Sequence, residues 1–410
     1  MTKLEQLIEE LCPNGVEYRT LNTICNVYDG THQTPQYTDS GIKFASVENI
    51  ADPYATEKYI SVSDYEKYKI KPQRNDLLMT RIGSIGVCTV IESDEPLAYY
   101  VSLALLRPDN SILNSRYLKY AIESLHCRKE LRKRTLVNAV PIKINMGDIG
   151  KITLPVPPLP VQREIVRILD NFTELTAELT AEFAARRKQY EYYRDELLAP
   201  ISNMQYTVYT LGDIATVTKL AGFEFTNYVI YSNEGEIIAL RGLNVKNGKL
   251  DLNDVKYIDN SDLTKLTRSK LHTGDMLFTY VGTIGQVAVI DEDDKYYLAP
   301  NVALIRCDKN IISPEYMRYY FQSSEFWDTQ INKLLQSSSM KNIPMGKIRK
   351  FKLCIPPVET QCRIVNILDR FDALCNDITS GLPAEIEARK KQYEYYRDKL
   401  LSFKSLSRNS

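Results

Sequence analysis

One polar loop near the start of the chain carries the side chains best suited to reading another molecule's hydrogen-bonding groups. The segment DGTHQTPQY (residues 29–37) is rich in turn-forming residues. Its Thr31, His32, Gln33 and Thr34 have donors and acceptors that suit the edges of nucleic-acid bases. The counterpart in the second half of the chain, KLAGFEFTNY (219–228), has different chemistry. The alternative for each of these residues is an ordinary surface loop.

A second pair of loops offers amides, hydroxyls and lysines. TLVNAVPIKINMG (135–147) corresponds to QSSSMKNIPMG (336–346). Lysine suits phosphate groups, whereas Asn and Ser suit base edges. These loops add the following candidate DNA-contact residues: Asn138, Lys143, Asn145, Ser338, Lys341 and Asn342.

Two glycine turns, RIGSIG (81–86) and YVGTIG (280–285), superficially resemble nucleotide-binding loops. Neither ends in the Gly-Lys-Ser/Thr of a phosphate-binding loop, and neither has the third glycine of a dinucleotide fingerprint. We interpret them as tight turns that end a strand and face a phosphate backbone. With the strand-and-loop unit IIALRGLNV (237–245), they supply further candidate contacts: Arg81, Ser84, Arg241, Tyr280 and Thr283.

Catalytic and metal chemistry is not predicted. No Ser/His/Asp or Cys/His set occurs in both halves, and the three histidines form no zinc-type cluster with a cysteine pair. The eight cysteines are scattered without a Cys-x-x-Cys pair, which is typical of a reduced compartment. The first residues lack the apolar run of a signal peptide, and no stretch approaches a membrane span. We therefore expect a cytoplasmic protein with no membrane association, no catalytic residue, no metal and no directly bound cofactor.

The charge is neutral overall but unevenly distributed. The 52 basic residues equal the 52 acidic ones, which counts mildly against nucleic-acid binding. Residues 116–151 nevertheless hold nine basic and three acidic residues, and residues 309–352 hold eight and three. Each half has a basic tract at the corresponding place. Solvated helix faces are the alternative interpretation.

An internal repeat organises the chain. ARRKQYEYYRDELL (185–198) returns as ARKKQYEYYRDKLL (388–401), and IVRILD (165–170) returns as IVNILD (364–369). DLLMTRIGSIG (76–86) aligns with DMLFTYVGTIG (275–285). The large domains have diverged while the helix block has not, which favours one partner docked twice and two different targets read once each. A constrained coiled-coil seam is the alternative explanation of the unchanged block.

Apolar positions with helical spacing predict a helix from about Phe172 to Leu198, roughly 40 Å long at about 1.5 Å per residue. One turn of duplex DNA is roughly 34 Å, so this helix could act as a spacer between two reading domains. In the second copy, Gly381 and Pro383 predict a broken or restarted helix. Outward-facing tyrosines suggest a protein interface. The predicted partner-binding residues are Tyr192, Arg194, Tyr395 and Arg397.

The fold class predicted is α+β, with two tandem recognition domains separated by two long helices that pack as an antiparallel coiled coil with pseudo-two-fold symmetry. Short strands are expected in residues 42–50, 85–91, 237–245 and 284–290, and helices in 115–134 and 314–335. The predicted boundaries are a first recognition domain at 1–155, a helical region at 156–202, a second recognition domain at 203–354 and a helical region at 355–410.

A Pro-Pro linker, the IVRILD or IVNILD block and the QYEYYRD helix, each present twice, resemble the specificity subunit of type I restriction–modification systems. DGTHQTPQY and the TAEL-TAEF run (176–183) also look like segments of that family. The resemblance implies a non-catalytic subunit in which each domain reads one half of a split site in double-stranded DNA. It also implies that the paired helices set the gap and dock two methyltransferase subunits, through which motor–nuclease subunits join. S-adenosylmethionine, ATP and Mg would then belong to those partner subunits.

Two other classes of protein remain as alternatives. The first is a stand-alone DNA methyltransferase or nuclease with fused recognition domains, which the missing cofactor loop disfavours. The second is a coiled-coil adaptor that binds only protein, which would not need two divergent domains.

Overall fold

The computed structural model describes residues 2–200, 205–220, 222–336, 342–376 and 382–406. The first copy of the repeat alternates short strands with short helices and ends in one long helix. Its elements are α1 (Lys3–Leu11), β1 (Tyr18–Thr20), β2 (Cys25–Asp29), β3 (Tyr37–Thr38), β4 (Ile42–Ala45), β5 (Tyr59–Ile60), α2 (Val62–Glu66), β6 (Leu77–Thr80), β7 (Cys88–Val90), β8 (Leu97–Tyr99), β9 (Leu103–Pro108), α3 (Ser115–Glu123), α4 (Leu125–Arg134), α5 (Met146–Ile149), β10 (Thr153–Pro155) and α6 (Leu159–Leu198).

The second copy follows the same plan. Its elements are β11 (Thr207–Thr210), α7 (Leu211–Ile214), β12 (Ala215–Lys219), α8 (Gly222–Tyr228), β13 (Ile238–Leu240), β14 (Val245–Lys246), β15 (Lys249–Leu250), β16 (Lys256–Tyr257), β17 (Met276–Thr279), β18 (Val287–Val289), β19 (Tyr296–Leu298), β20 (Val302–Cys307), α9 (Pro314–Tyr320), α10 (Ser324–Phe326), α11 (Asn332–Gln336), α12 (Met345–Ile348), β21 (Lys352–Ile355), α13 (Val358–Asn376) and α14 (Leu382–Leu400). A π-helical turn, Trp327–Ile331, joins α10 to α11.

Both copies contain a four-stranded antiparallel sheet and a second, mixed sheet, which has four strands in the first copy and three in the second. In the first copy, β2-β9-β6-β7 is antiparallel, and the second sheet, β3-β5-β4-β8, pairs β4 with β8 in parallel. In the second copy, β12-β20-β17-β18 is antiparallel, and β16-β13-β19 pairs β13 with β19 in parallel. The predicted α+β class is confirmed, as is the duplication. The predicted strands in residues 42–50, 85–91, 237–245 and 284–290 are confirmed as β4, β7, β13 and β18.

The central strands β6 and β17 are apolar because both of their faces are buried. Leu77 and Met79 face one core of the first copy, whereas Leu78 faces another. In the second copy Met276 and Phe278 face one core and Leu277 faces the other. Successive side chains of a strand point to opposite faces, so a continuous apolar run is what such a strand requires.

The described chain forms two compact units that each combine residues from both copies. One unit comprises the residues up to Thr180 and those from Glu385 onward, and the other comprises Ala181–Ala384. Each unit therefore contains one α+β domain, the first part of the helix that follows it, and the last part of the other copy's helix. The boundaries at 155, 202 and 354 stay a prediction, because they divide the chain by sequence order whereas each compact unit combines segments from both copies.

Three helix predictions need correction. The long helix begins at Leu159 rather than near Phe172 and has 40 residues. It starts directly after Pro157 and Pro158, because proline is not tolerated in a helix beyond its first turn. The predicted 115–134 helix is two helices, since the Ser124 side chain caps the second of them. The predicted 314–335 helix is likewise divided into α9, α10, the π-helical turn and α11. The restart predicted in the second copy agrees with α14, which begins at Leu382 and contains Pro383 in its first turn, where proline is tolerated; Gly381 lies outside the described residues.

The long helices pack through aromatic pairs within each unit. In the first unit Phe172 stacks on Tyr396, with ring centroids 5.4 Å apart. In the second unit Phe371 stacks on Tyr193 at 6.1 Å, and the Cys375 thiol lies 3.8 Å from the Arg186 carbonyl. Residue numbers rise along α13 as they fall along α6, so these two segments run antiparallel.

A buried glutamine fixes the start of the long helix to its domain in both copies. In the second copy, Gln361 Oε1 accepts the Ser313 amide at 3.0 Å, and Nε2 donates to the Ile311 and Pro356 carbonyls at 2.8 and 2.9 Å. Gln162 makes the equivalent three bonds in the first copy. All polar atoms of these buried amides therefore have partners, which come from the loop before α9 or α3 and from the proline linker.

We predict that Gln361→Ala lowers the free energy of unfolding of the second unit by about 3 kcal/mol, because three backbone groups lose their partner at a buried site. Urea denaturation followed by tryptophan fluorescence measures this, since the single tryptophan, Trp327, lies in that unit. Gln189→Ala, on an exposed face of the long helix, is the control and should change stability by less than about 0.5 kcal/mol. Equal stability of the two variants would contradict the role assigned to Gln361.

Candidate nucleic-acid interface

A buried arginine joins three loops of the first domain. Arg81 Nη2 donates to Asp29 Oδ2 at 3.2 Å, and Nη1 donates to the Ile144 carbonyl at 3.1 Å. His32 Nε2 lies 2.9 Å from the same Asp29 oxygen. The loops at residues 29–37, 81–86 and 135–147 are thus brought together. Arg81 was predicted to contact DNA, but its side chain is buried, so it is a positioning residue; Asp29, its partner, was missed.

Backbone pairing fixes the 135–147 loop on the glycine turn. Lys143 pairs with Ile82 and with Leu136, Gly83 donates its amide to the Ile142 carbonyl at 2.8 Å, and Ile144 donates to the Arg81 carbonyl at 3.0 Å. This pairing places several candidate side chains on one exposed surface: His32, Gln33, Thr34, Ser84, Asn138, Lys143 and Asn145. Thr31 is half-buried and its hydroxyl donates to the Gln33 carbonyl at 3.3 Å, so it shapes the loop.

The glycine turn is explained by packing. Gly86 has φ of +84°, and a Cβ there would lie 2.8 Å from the Leu131 side chain on α4. Its counterpart Gly285 has φ of +84°, and a Cβ there would overlap the Trp327 ring. The turn therefore needs glycine for its left-handed backbone and for close approach of the following helix. This agrees with the interpretation of both segments as tight turns.

Unpaired cations surround the first-domain loop. Glu130 pairs with Lys133 and Arg134 at 3.1 and 2.7 Å, and these hydrogen bonds lower the pKa of its carboxyl group. By contrast, Lys129, Arg132 and Lys143 are exposed and have no ion-pair partner within the part of the chain that the structure describes. Positive charge without a partner at the end of α4 is suited to phosphate groups.

The second domain places its candidates differently. Arg241 Nη2 donates to the carbonyl and the carboxylate of Asp254, at 2.8 and 2.9 Å. Tyr280 is half-buried, and its carbonyl accepts the Ile343 amide at 2.9 Å. Asn342 pairs with Val281, at the position that Lys143 occupies in the first domain. Thr283 is exposed, whereas Ser338 and Lys341 lie outside the described residues.

A cavity of about 490 Å³ brings Arg241 and Thr283 together. Its walls include Phe225 and Tyr231, whose rings lie 5.7 Å apart, and Asn301. Sequence reasoning missed these three residues. Residues 219–228 correspond in sequence to the polar loop of the first domain, but Gly222–Tyr228 is helical and Phe225 forms part of the cavity wall.

Of the four residues predicted to bind a partner, the two tyrosines are exposed and the two arginines are buried. Tyr192 and Tyr395 are each 61% exposed, as an outward surface requires. Arg194 and Arg397 are only 9% and 4% exposed, so their predicted outward position is wrong. Arg194 binds Asp195 at 3.0 Å and Arg397 binds Asp398 at 3.2 Å.

These Arg–Asp pairs hold the helix ends on the domains. Asp398 accepts the Leu125 amide at 2.9 Å at the start of α4, and Asp195 accepts the Ser324 amide at 3.2 Å at the start of α10. A carboxylate at a helix N-terminus accepts a hydrogen bond from an otherwise unpaired backbone amide, and its negative charge interacts favourably with the positive end of the helix dipole. Tyr190 is buried in the core of the second unit, while Tyr393 packs edge-on against Tyr120 in the first. The unchanged helix block therefore has an intramolecular role in both units.

The described residues contain neither a candidate metal site nor a candidate membrane span. No group of three or more His, Cys, Asp and Glu side chains there could hold a metal ion. Within the same residues, none of the helices has the length and apolar character needed to cross a membrane.

These features define a class of protein with two α+β domains of one topology, different loops on each and a duplicated helix. The chain matches the type I restriction modification DNA specificity domain twice, over residues 13–185 and 203–388. It is 33% identical over 301 residues to a putative type I restriction enzyme specificity subunit of Haemophilus influenzae, covering 71% of this chain and 73% of that protein. The EcoR124I/EcoR124II specificity subunit of Escherichia coli is 34% identical over 265 residues, or 62% of this chain and 63% of that protein.

Solved structures show the same fold. A chain from a study of complex assembly and conformational transition of the type I R-M system has a TM-score of 0.63 and 14% identity, covering 95% of this chain and 98% of that one. The type I restriction–modification S subunit of M. genitalium has a TM-score of 0.52 and 13% identity, covering 94% of this chain and 96% of that one. The chain belongs to the family of type I restriction–modification specificity subunits.

We predict that Tyr190→Ala lowers the free energy of unfolding of the second unit by about 3 kcal/mol, because it removes a large buried ring. Tyr192→Ala, two residues away and exposed, is the matched control and should have little effect. Urea denaturation monitored by Trp327 fluorescence compares the two variants. A loss of stability for Tyr192→Ala as large as that for Tyr190→Ala would contradict packing of the helix block through Tyr190.

Proposed function

We propose that this chain is the non-catalytic DNA-reading subunit of a type I restriction–modification complex. Each α+β domain reads one half of a bipartite site in double-stranded DNA. The observation that carries the proposal is a shared backbone with different side chains at equivalent loop positions. The bridge between Ile82 and Lys143 recurs as the bridge between Val281 and Asn342, so one scaffold presents different chemistry in each domain.

The exposed surface of the first domain combines the two kinds of contact that a sequence reader needs. Lys143 and the unpaired cations of α4 are suited to phosphate, which positions the protein without reading sequence. His32, Gln33 and Asn138 are suited to base edges in the major groove, which carry a distinct pattern for each base pair. Neutral net charge implies that partner subunits supply much of the phosphate contact.

The helices have two proposed roles. Their length sets the gap between the two half-sites, and the exposed Tyr192 and Tyr395 dock two copies of a methyltransferase subunit. Equal exposure of these two tyrosines supports an identical partner at each. Motor–nuclease subunits join through the methyltransferases. S-adenosylmethionine, ATP and Mg are bound by those partners, and the complex works in the cytoplasm.

The main test is reconstitution with a methyltransferase subunit co-purified from the native host, followed by methylome sequencing to identify the site. We expect site-specific binding and methylation only in the presence of that subunit. Methylation or cleavage of DNA by the isolated chain would refute the proposal.

Two substitutions separate positioning from reading in that complex. Lys143→Ala should weaken binding to all sequences equally and reduce the slope of log affinity against log salt by about one, because one phosphate contact is lost. Gln33→Ala should cost about 1–3 kcal/mol of discrimination at one position of one half-site. Fluorescence anisotropy at several salt concentrations measures both, with Lys67→Ala, an exposed lysine directly after α2, as control. An unchanged salt slope for Lys143→Ala would contradict its assignment.

The spacer role predicts the outcome of an insertion. A second TAEL unit placed after Leu179 lengthens α6 by about 6 Å, which should lengthen the preferred gap by about two base pairs. Methylation mapping measures the gap. The same four residues inserted between Asp94 and Glu95, in an exposed loop, should leave it unchanged. An unchanged gap in the helix variant would refute the spacer role.

A further inference from the structure

The 135–143 loop of the first domain exposes an apolar tip. Val140 is fully exposed, and Leu136, Val137 and Ile142 are also exposed. Burial of a valine or leucine side chain stabilises a protein by about 1.5–3 kcal/mol, and an exposed side chain does not contribute this free energy. Contiguous exposed apolar residues of this kind mark sites of interaction.

The tip is held away from the core by hydrogen bonds on both of its sides. Leu136 donates its amide to the Lys143 carbonyl at 2.8 Å, and Ala139 donates to the Leu136 carbonyl at 3.2 Å. The Gly83 amide holds the Ile142 carbonyl at 2.8 Å, and the Thr135 hydroxyl donates to the Leu131 carbonyl at 2.9 Å. The loop is therefore a projecting element fixed on the glycine turn and on the end of α4.

Charge indicates what the tip contacts. It lies between Lys143 on one side and the last turn of α4, with Arg132, on the other, and neither cation has an ion-pair partner among the described residues. A protein partner would favour an apolar patch with a mixed polar rim, whereas apolar side chains between unpaired cations suit a duplex, whose bases lie between two phosphate backbones.

The second domain keeps only part of this apolar tip in its sequence. At the constant offset that aligns Lys143 with Asn342, Val140 corresponds to Ser339 and Ile142 corresponds to Lys341, whereas Leu136 corresponds to Leu335 and Pro141 to Met340. The fully exposed valine is therefore specific to the first domain.

We propose that this loop is a wedge that inserts Val140 between stacked bases of duplex DNA beside the first half-site. Apolar side chains inserted at a base step unstack it and kink the duplex, and the flanking cations hold the displaced phosphates. The inference rests on the proposed function and adds to it a local deformation of DNA at one half-site. Sequences that unstack easily at that step would then be preferred without any base-edge contact.

The test uses the complex reconstituted with its methyltransferase subunits and duplexes that carry the methylome-defined site. 2-Aminopurine, whose fluorescence rises on unstacking, is placed in turn at each position across and beside both half-sites. We expect a several-fold rise at one step beside the first half-site and none at the equivalent step of the second. Val140→Ser should abolish the rise and weaken binding about tenfold, because one apolar side chain loses its burial.

Two variants serve as controls. Val140→Leu keeps an apolar tip and should keep the rise, and Val62→Ser, an exposed valine on α2, should change neither fluorescence nor affinity. A wild-type complex that binds tightly without unstacking, or a Val140→Ser complex that still unstacks, would overturn the wedge alone. Loss of the methyltransferase from the Val140→Ser complex would assign the tip to a protein contact and also overturn it. Failure of the wild-type complex to bind its site would instead overturn the proposed function.

Discussion

The structure depends on one contact that occurs in both units: the end of the repeated helix from one copy packs on the α+β domain of the other copy. Asp398 caps α4 in the first unit, and Asp195 caps α10 in the second. Each carboxylate is oriented by the neighbouring arginine, and each arginine lies beside a tyrosine ring one helical turn earlier. Helix capping and dipole interactions contribute about 0.5–2 kcal/mol each, and burial of the tyrosine adds more. Neither α+β domain has a complete core without this borrowed segment.

This arrangement gives a physical reason for the contrast between the unchanged helix block and the diverged domains. The block must fit the same acceptor twice, because Ser124 and Ser323 begin equivalent helices with equivalent free amides. A change at Tyr190 or Arg194 would disturb packing within the chain itself. The outward tyrosines Tyr192 and Tyr395 contact the rings of the neighbouring Tyr193 and Tyr396 edge-on and otherwise stay exposed. Two constraints thus act on opposite faces of the repeated helix block. One is packing within the chain, and the other is the proposed docking of an external partner.

Sequence reasoning was correct where local pattern decides structure. The repeat, the α+β class, the two glycine turns and the strands beside them follow from periodicity and from backbone requirements of glycine. It was wrong where a distant residue decides burial. Arg81 is buried because Asp29 and the Ile144 carbonyl meet it, and neither contact is visible in sequence. For Arg194 a signal was available, since it lies four residues after Tyr190 and therefore on the same helix face. Phe225 and Tyr231 were missed because α8 and the residues after it align poorly with the corresponding loop of the first domain.

The split composition of the first unit has a consequence for protein synthesis. The second unit is a continuous segment, whereas the first needs residues from Glu385 onward to complete its core. A ribosome adding about 5–20 residues per second takes roughly 10–40 s to pass from residue 180 to residue 385. During that interval the first domain is on the ribosome without Tyr393, Leu400 and Leu401, and the apolar side chains that these residues cover are still exposed. The domain made first is therefore the last to finish folding.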